Sequence, residues 1–206
     1  MADALENRKS LVCSSVERPQ EECMILSLVG ASGSGKTTIA RELLGLSSYA
    51  RMLGSVTTRV PRPSDLPGEY EYIDAKLFAA YMAQDVFEWT VSIHGSRYGT
   101  RRTSLDRGLL SGDIEIMMLV PDAMERLWKY AKGLQHKVKP FFINTPSEEE
   151  LRRRLTIRGD SEEDIARRVV ECRDWGLLAR ESLIPYCMVS NQGDPGDIAR
   201  IIASMV

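Results

Sequence analysis

Apolar runs alternate with helical segments along most of this 206-residue chain. The runs CMILSLV, IEIMMLV, KPFFINT and YCMVSN are rich in apolar residues, which is typical of strands buried on both faces of a sheet. The segments between them, such as KTTIARELLGL and PDAMERLWKYAKGL, carry apolar residues at helical spacing. Strands that alternate with helices predict an α/β domain whose parallel sheet is covered by helices on both faces.

Residue types at the ends of the helical segments predict where several helices begin or end. The first helix is expected to stop at Gly45, and Pro121 lies in the first turn of the helix after IEIMMLV. Ser147 is predicted to cap the helix in EEELRRRLTIRG. The long segment SEEDIARRVVECRDWGLLARESL leads with acids and follows with bases, and DPGDIARIIASM predicts a closing helix.

The segment from Met52 to Tyr98 has a different pattern, with many Pro, Gly, Tyr, Thr and Arg residues. Short alternating stretches such as EYEYI predict a small lobe of short strands and loops, with one short helix in AKLFAAYMAQD. The segment TSLDRGLLSG then predicts a helix that ends near Gly112. Residues 1–22 show no clean periodicity and are predicted to be a flexible N-terminal extension.

Composition narrows the class of protein without identifying a function. Hydrophobic residues make up 43% of the chain and charged residues 27%, which is ordinary for a soluble globular protein. The formal net charge of -2 argues against bulk electrostatic binding to nucleic acid. No membrane-spanning apolar run and no signal peptide are visible, so we expect a cytoplasmic protein without a membrane partner. Its four scattered cysteines form no CxxC pair, which disfavours zinc and redox sites.

The segment GASGSGKT is a phosphate-binding motif, since it fits the pattern G-x-x-x-x-G-K-[ST] between a predicted strand and a predicted helix. Its glycines allow backbone N–H groups to converge on phosphate oxygens at the start of a helix. Lys36 is expected to reach the β- and γ-phosphates, and the Thr37 hydroxyl to bind Mg²⁺. The residues predicted to bind ATP are Gly30, Ala31, Ser32, Gly33, Ser34, Gly35, Lys36, Thr37 and Thr38. This motif alone does not separate kinases, GTPases and ATPases.

Two further segments carry candidate acceptor residues. Arg59 and Arg62 lie three residues apart in SVTTRVPRPSDLPGEYEY, and two guanidinium forks suit a monophosphate dianion. The competing interpretation is an ordinary solvated basic loop. Glu88 precedes an aromatic, glycine-containing stretch in FEWTVSIHGSRYGT, and by itself it reads as a surface carboxylate.

Taken together and in this order, the segments GASGSGKT, SVTTRVPR, EWTVSIHGSRYGT and PSEEELRRRLTIRG resemble guanylate kinases, from about Met24 to the C-terminus. The resemblance implies a P-loop fold that transfers phosphate from ATP, with Mg²⁺, to GMP or dGMP. It implies that the acceptor phosphate is held by Arg59, Arg62, Tyr70 and Tyr98. It also implies that guanine is read by Ser55, Glu88 and Thr100, because a carboxylate accepts two parallel hydrogen bonds from the guanine edge.

The resemblance further implies a lid whose arginines close over ATP and the transferring group. The implied catalytic residues are Lys36, Arg59, Arg154, Arg158 and Arg168. Arg152, Arg153 and Arg167 are instead expected on a solvated helix face, paired with acids. The implied division is a core of residues 23–54, 105–145 and 170–206, an acceptor-binding lobe of 55–104 and a lid of 146–169.

The chain departs from guanylate kinases at the end of its second core strand. The family has an acid-x-acid pair there, in which the first acid orders the Mg²⁺ shell and the second helps to read guanine. This chain has Met118 and Val120 at these positions. We therefore expect Met117, Met118 and Val120 to be core residues without a ligand role, and strict guanine selectivity stays open.

Three functions follow from these patterns, in order of preference. The first is an active nucleoside monophosphate kinase, as a monomer or homodimer. The second is a kinase of the same fold for another phosphorylated acceptor, such as a modified deoxynucleotide or a ribose bisphosphate. The third is a non-catalytic binding module, which the retained Lys36 and Thr37 disfavour.

Overall fold

A five-stranded parallel sheet forms the centre of the computed structural model, which describes residues 24–206. The predicted flexible extension, residues 1–22, lies outside the described residues. The strand order is β2-β7-β1-β8-β9. These strands are β1 (Met24–Val29), β2 (Ala50–Met52), β7 (Ile114–Leu119), β8 (Val138–Ile143) and β9 (Cys187–Val189).

Helices cover both faces of this sheet, because side chains along each buried strand alternate between the two faces. The helices are α1 (Lys36–Leu46), α3 (Arg102–Leu110), α4 (Pro121–Tyr130), α6 (Glu162–Glu181) and α7 (Pro195–Ala203). In β1, Leu26 and Leu28 belong to the core cluster that includes α1 and α7, whereas Ile25 and Val29 belong to the cluster that includes α3, α4 and α6. The predicted α/β fold is therefore confirmed.

A second, mixed sheet of four short strands, in the order β4-β3-β6-β5, forms the small lobe. Its strands are β3 (Ser55–Thr57), β4 (Tyr70–Tyr72), β5 (Phe87–Ile93) and β6 (Ser96–Arg101), and α2 (Ala75–Ala83) packs beside them. The β5–β6 hairpin turns at His94 and Gly95, whose φ angles of 48° and 76° fit the two left-handed positions of a tight hairpin turn.

Helix α5 (Glu148–Ile157) and the start of α6 pack over the phosphate-binding loop. Ser147 caps α5 by accepting from the Glu150 N–H, as the sequence predicts, and Ser161 caps α6 by accepting from Asp164 N–H. A short 3₁₀ turn, Gln135–Lys137, leads into β8. Within residues 24–206, no helix combines the length and apolar character that crossing a bilayer requires.

Two elements, α1 and β2, differ from the sequence predictions. Helix α1 continues through Gly45 to Leu46, because a glycine in open surroundings lowers helix propensity without ending the helix. Strand β2 has no apolar run to predict it. It exists because its backbone pairs with β7, with Ala50 opposite Ile114 and Met52 opposite Ile116.

Glu115 in β7 is a buried carboxylate in this core, with only 2% of its surface exposed. Its Oε2 atom has no hydrogen-bond partner within residues 24–206, and the nearest cation, the Nε of Arg107, lies 3.8 Å from Oε1. Burial raises the pKa of Glu115, although Arg107 partly offsets this. Ionised Glu115 therefore costs the folded state free energy.

We expect Glu115→Met to raise the free energy of unfolding by about 1–2 kcal/mol at pH 8, because it removes a buried and poorly paired charge. Since the pKa is raised in the folded state, wild-type stability falls as the pH rises through that pKa. The difference between variant and wild type should thus shrink towards pH 5. Urea unfolding followed by tryptophan fluorescence measures both values. Glu163→Met, at an exposed position, is the control. An unchanged or lower stability at pH 8 would show that the Arg107 pair outweighs the burial cost.

Candidate active site

The phosphate-binding loop joins the end of β1 to the start of α1. A side chain at Gly30 would meet the Ile143 carbonyl oxygen at 2.7 Å, so only glycine allows this close approach to β8. Gly35 has a φ of 96°, which turns the chain into α1. No side chain caps this helix start, so its first N–H groups remain directed into the loop.

Lys36 is folded back onto the loop. Its Nζ donates to the Gly30 carbonyl at 2.5 Å and to the Ala31 carbonyl at 2.9 Å. Burial lowers the pKa of Lys36 to about 8, although nearby Cys172 and the carboxylate of Glu69 act in the opposite direction. The Lys36 amine therefore lies beside the loop, where an oxygen of a bound phosphate would replace the two carbonyl oxygens as its hydrogen-bond acceptor.

The Thr37 hydroxyl faces a sulfur atom rather than a carboxylate. Its Oγ1 lies 3.8 Å from the Sδ of Met118. Mg²⁺ prefers oxygen ligands, and a thioether is a poor one. Residues 24–206 also hold no cluster of three or more His, Cys, Asp or Glu side chains that would bind a metal ion. These residues fit a magnesium ion that arrives on a nucleotide, with Thr37 as its one protein ligand, and not a resident metal centre.

Asn191, which the sequence analysis missed, supports the loop from the other side. Its side-chain amide donates to the Ser34 carbonyl, and the residue is 7% exposed. The available signal was a polar residue directly after a core strand, where ligand-binding residues of parallel sheets collect.

The three predicted lid arginines all line the cavity beside the loop. Arg158 donates to the Ser32 hydroxyl at 2.9 Å and also pairs with Asp160. Arg154 donates to Glu150 at 2.8 Å and reaches the Gly33 carbonyl at 3.5 Å.

Arg168 is buried, and its Nε lies 3.1 Å from Asp160 Oδ2 without hydrogen-bond geometry. Among the arginines expected on the solvated face, Arg153 and Arg167 pair with acids at the cavity rim, and Arg152 pairs with Glu148.

A single cavity of 710 Å³ connects the loop to the small lobe. Six of the seven predicted acceptor residues line it, namely Ser55, Arg59, Arg62, Tyr70, Tyr98 and Thr100. The guanidinium of Arg59 lies 4.9 Å from the centre of the Tyr70 ring, and the Tyr70 and Tyr98 rings are 5.9 Å apart. The sequence thus predicted a group of residues that the fold brings together.

The sequence analysis missed two carboxylates, Asp65 and Glu69, in the segment that carries Arg59 and Arg62. Asp65 accepts from Arg59 at 2.8 Å, from the Arg62 N–H at 2.6 Å and from the Tyr72 hydroxyl at 2.5 Å. Burial by itself would lower the pKa of Arg59, but its hydrogen bond to Asp65 and the Asp65 charge hold that pKa above its usual value. Glu69 is buried, accepts from the Leu66 N–H at 2.9 Å, and has a pKa raised by burial.

Glu88, the seventh predicted acceptor residue, does not line the cavity. Its Oε2 accepts from the Nε of Arg102 at 2.7 Å. An irregularity in the β5–β6 pairing between Phe87 and Trp89 interrupts the alternation of side chains at this point. Trp89, not Glu88, lies on the cavity wall.

Met118 and Val120, expected to be core residues without a ligand role, are partly buried and pack against the core, and both also line the cavity. Met117 is fully buried in the core. The two side chains reach the cavity because β7 ends beside the phosphate-binding loop. The apolar part of the wall includes Trp89, Val91, Leu119, Val120, Ala123 and Trp175.

A family model described as guanylate kinase matches residues 22–176. The chain is 34% identical over 176 residues to a protein named guanylate kinase from Geobacter sulfurreducens, covering 84% of this chain and 83% of that one. It is also 34% identical over 152 residues to one from Anaeromyxobacter dehalogenans, covering 73% of this chain and 66% of the relative.

Among solved structures, guanylate kinase from Anaplasma phagocytophilum shares the fold, with a TM-score of 0.65 and 23% identity over 88% of this chain and 83% of that chain. The residues that the family model matches include the phosphate-binding loop and the arginines that line the cavity. The chain belongs to the guanylate kinase family.

Proposed function

We propose that this protein transfers the γ-phosphoryl group of ATP to GMP or dGMP. The observation that carries the proposal is the single cavity that joins the phosphate-binding loop to Arg59, Arg62, Tyr70 and Tyr98. A donor phosphate on the loop and an acceptor phosphate on these four side chains would share one space. The names of the relatives support guanosine monophosphates as acceptors.

The donor in this proposal is ATP together with its magnesium ion. The phosphates lie against the backbone N–H groups from Gly30 to Thr38, with Lys36 leaving the Gly30 and Ala31 carbonyls to bind the β- and γ-phosphates. The metal neutralises charge on the phosphate oxygens, and Thr37 is the protein residue that would bind it.

The proposed transfer needs no general base, since a phosphate dianion is already nucleophilic. The protein positions the two substrates in line and neutralises the charge that develops between them. Arg154, Arg158 and Arg168 already line the space above the loop and would supply this positive charge. Closure of residues 146–169 over residues 55–104 and the core would exclude water from the reacting phosphates.

A panel of monophosphates tests the proposal directly. ADP release is coupled to a spectroscopic readout with GMP, dGMP, AMP, CMP and UMP, and a reaction without acceptor measures ATP hydrolysis. We expect turnover with GMP or dGMP well above that with the other three. An absence of turnover with both guanine nucleotides would overturn the proposal.

The pH dependence of ATP binding tests the role of Lys36. Because burial lowers its pKa to about 8 in the free protein, the ammonium is lost as the pH rises through 8, and bound phosphates would favour the charged form. We therefore expect the Kd for ATP to rise by up to about tenfold per pH unit above pH 8. Calorimetric titrations between pH 7.5 and 9.5 measure this. Lys36→Met should bind weakly with no such slope, and an equal slope in both proteins would contradict the assignment.

A second acceptor class is favoured by the wall around Val120. The wall around Val120 includes Trp89, Val91 and Trp175, and Glu88 pairs with Arg102 outside the cavity. A modified deoxynucleotide or a ribose bisphosphate would depend less on carboxylate reading than guanine does. Faster turnover of such an acceptor than of GMP, with acceptor choice unchanged in Glu88→Gln, would favour this candidate.

The proposal also includes the context in which the enzyme acts. The division into core, acceptor lobe and lid is proposed with the residue boundaries given above. We propose a monomer or homodimer in the cytoplasm that has no nucleic-acid or membrane partner. The net charge of -2 supports the absence of a nucleic-acid partner.

A further inference from the structure

Glu171 presents an unsatisfied carboxylate oxygen to the cavity. The residue lies in the middle of α6 and lines the cavity together with Arg168, one turn earlier. Its Oε2 is buried and has no hydrogen-bond partner within residues 24–206. A buried acceptor without a donor destabilises the fold, so such an atom calls for a ligand or an ordered water.

The other carboxylates on the cavity wall already have donors. Asp65 accepts from Arg59, Arg62 N–H and Tyr72, and Glu69 accepts from the Leu66 N–H. Glu150 and Asp164 pair with arginines of their own helices. Glu171 is therefore the carboxylate on this wall, among the described residues, that keeps a buried oxygen for a new donor.

His94 is the closest charged or titratable neighbour of this oxygen. It sits at the tip of the β5–β6 hairpin, and its Nε2 lies 3.3 Å from Glu171 Oε2 without hydrogen-bond geometry. Burial lowers the pKa of His94, and the charge of Arg168 lowers it further. Both effects disfavour the imidazolium form of His94 beside Glu171.

The surroundings of Glu171 suit the nucleoside part of an acceptor. A second compartment of 470 Å³ shares Val91, Val120, Glu171 and Trp175 with the main cavity. Trp175 lies one helical turn after Glu171 and offers a flat apolar surface for a base. The phosphate-binding side chains Arg59, Arg62, Tyr70 and Tyr98 line the same main cavity.

We infer that Glu171 is a specificity-determining residue of the acceptor site, which accepts a hydrogen bond from the exocyclic amine of the base or from the ribose 2′-hydroxyl. The inference rests on the proposed function and names a residue that reads the acceptor. The inference places a carboxylate from α6 beside Val120, at the end of β7, where β7 itself provides no carboxylate. A site that holds a polar group for one donor discriminates against an acceptor without that donor.

Steady-state kinetics of Glu171→Gln and Glu171→Ala with GMP, dGMP and IMP test the inference. Compared with GMP, dGMP lacks the 2′-hydroxyl and IMP lacks the exocyclic amine. We expect kcat/KM for GMP to fall about tenfold to a hundredfold, because a hydrogen bond to a charged group is lost. If the ratio of kcat/KM for GMP to kcat/KM for dGMP moves towards one, the donor is the ribose 2′-hydroxyl. If the ratio of kcat/KM for GMP to kcat/KM for IMP moves towards one, the donor is the exocyclic amine of the base.

A matched control and a binding measurement separate a reading role from a structural one. Glu163→Gln changes an exposed acid of the same helix and should leave every ratio unchanged. GMP binding is followed by the fluorescence of Trp89 and Trp175, and thermal unfolding shows whether each variant is folded. If the Glu171 variants do not fold, Glu171→Asp, which keeps the carboxylate but shortens its reach, is measured in the same way.

The outcomes distinguish the inference from the proposed function. A wild-type protein without GMP turnover contradicts the proposed function, whereas the fluorescence titrations still report on Glu171. An active wild type whose folded Glu171 variants keep the wild-type GMP affinity and both acceptor ratios overturns the inference. In that case water satisfies Oε2.

Discussion

Replacement of Lys36 by methionine should lower kcat by about a hundredfold to a thousandfold, the usual effect of losing one donor to developing charge. Methionine keeps the length and apolar stem of lysine but has no ammonium group. The fold should survive, because the lost hydrogen bonds go only to the Gly30 and Ala31 carbonyls of the loop. The coupled ADP-release assay with GMP measures the change, and thermal unfolding checks the fold.

Lys132→Met provides the matched control, since Lys132 is exposed after α4 and does not line the cavity. That variant should retain wild-type kcat and KM values. If folded Lys36→Met kept more than about a tenth of wild-type kcat, the ammonium would have no role in transfer, and the proposed donor site would be wrong.

Replacement of Arg59 by alanine should raise the KM for the acceptor by about a hundredfold while leaving the KM for ATP nearly unchanged. The guanidinium is largely buried, lines the acceptor end of the cavity and has a pKa held above its usual value, so it stays charged at any working pH. A charge-assisted, forked contact to a phosphate contributes about 1.5–3 kcal/mol.

Two further variants separate recognition from stability. Arg59→Ala also leaves Asp65 without its ion-pair partner, which lowers the free energy of unfolding. Arg59→Lys keeps the charge but loses the fork, so it should restore much of the stability and little of the acceptor affinity. Arg152→Ala, at a half-buried arginine that pairs with Glu148 and does not line the cavity, should change neither KM. Equal acceptor KM values in wild type and Arg59→Ala would remove Arg59 from the acceptor site.

Contacts between distant segments account for some of the site residues that the sequence did not reveal. Asn191 reaches Ser34 across 157 positions of the chain, and Thr37 meets Met118 across 81. No local pattern encodes such a contact, because it depends on which strand ends lie together. The pairing of Glu88 with Arg102 also depends on tertiary structure, since it joins β5 to the start of α3.

Local chemistry explains what the sequence by itself determined. The phosphate-binding loop, the core strands, the Ser147 cap and the cluster of Arg59, Arg62, Tyr70 and Tyr98 follow from glycine conformation, apolar periodicity, capping and motif order. Only the tertiary structure decided which of the described carboxylates have donors: it gives donors to Asp65 and Glu69, pairs Glu88 with Arg102 and leaves Glu171 Oε2 without a donor. Hydrogen-bond satisfaction depends on the neighbours that packing brings within about 3 Å, and the order of residues along the chain does not specify them.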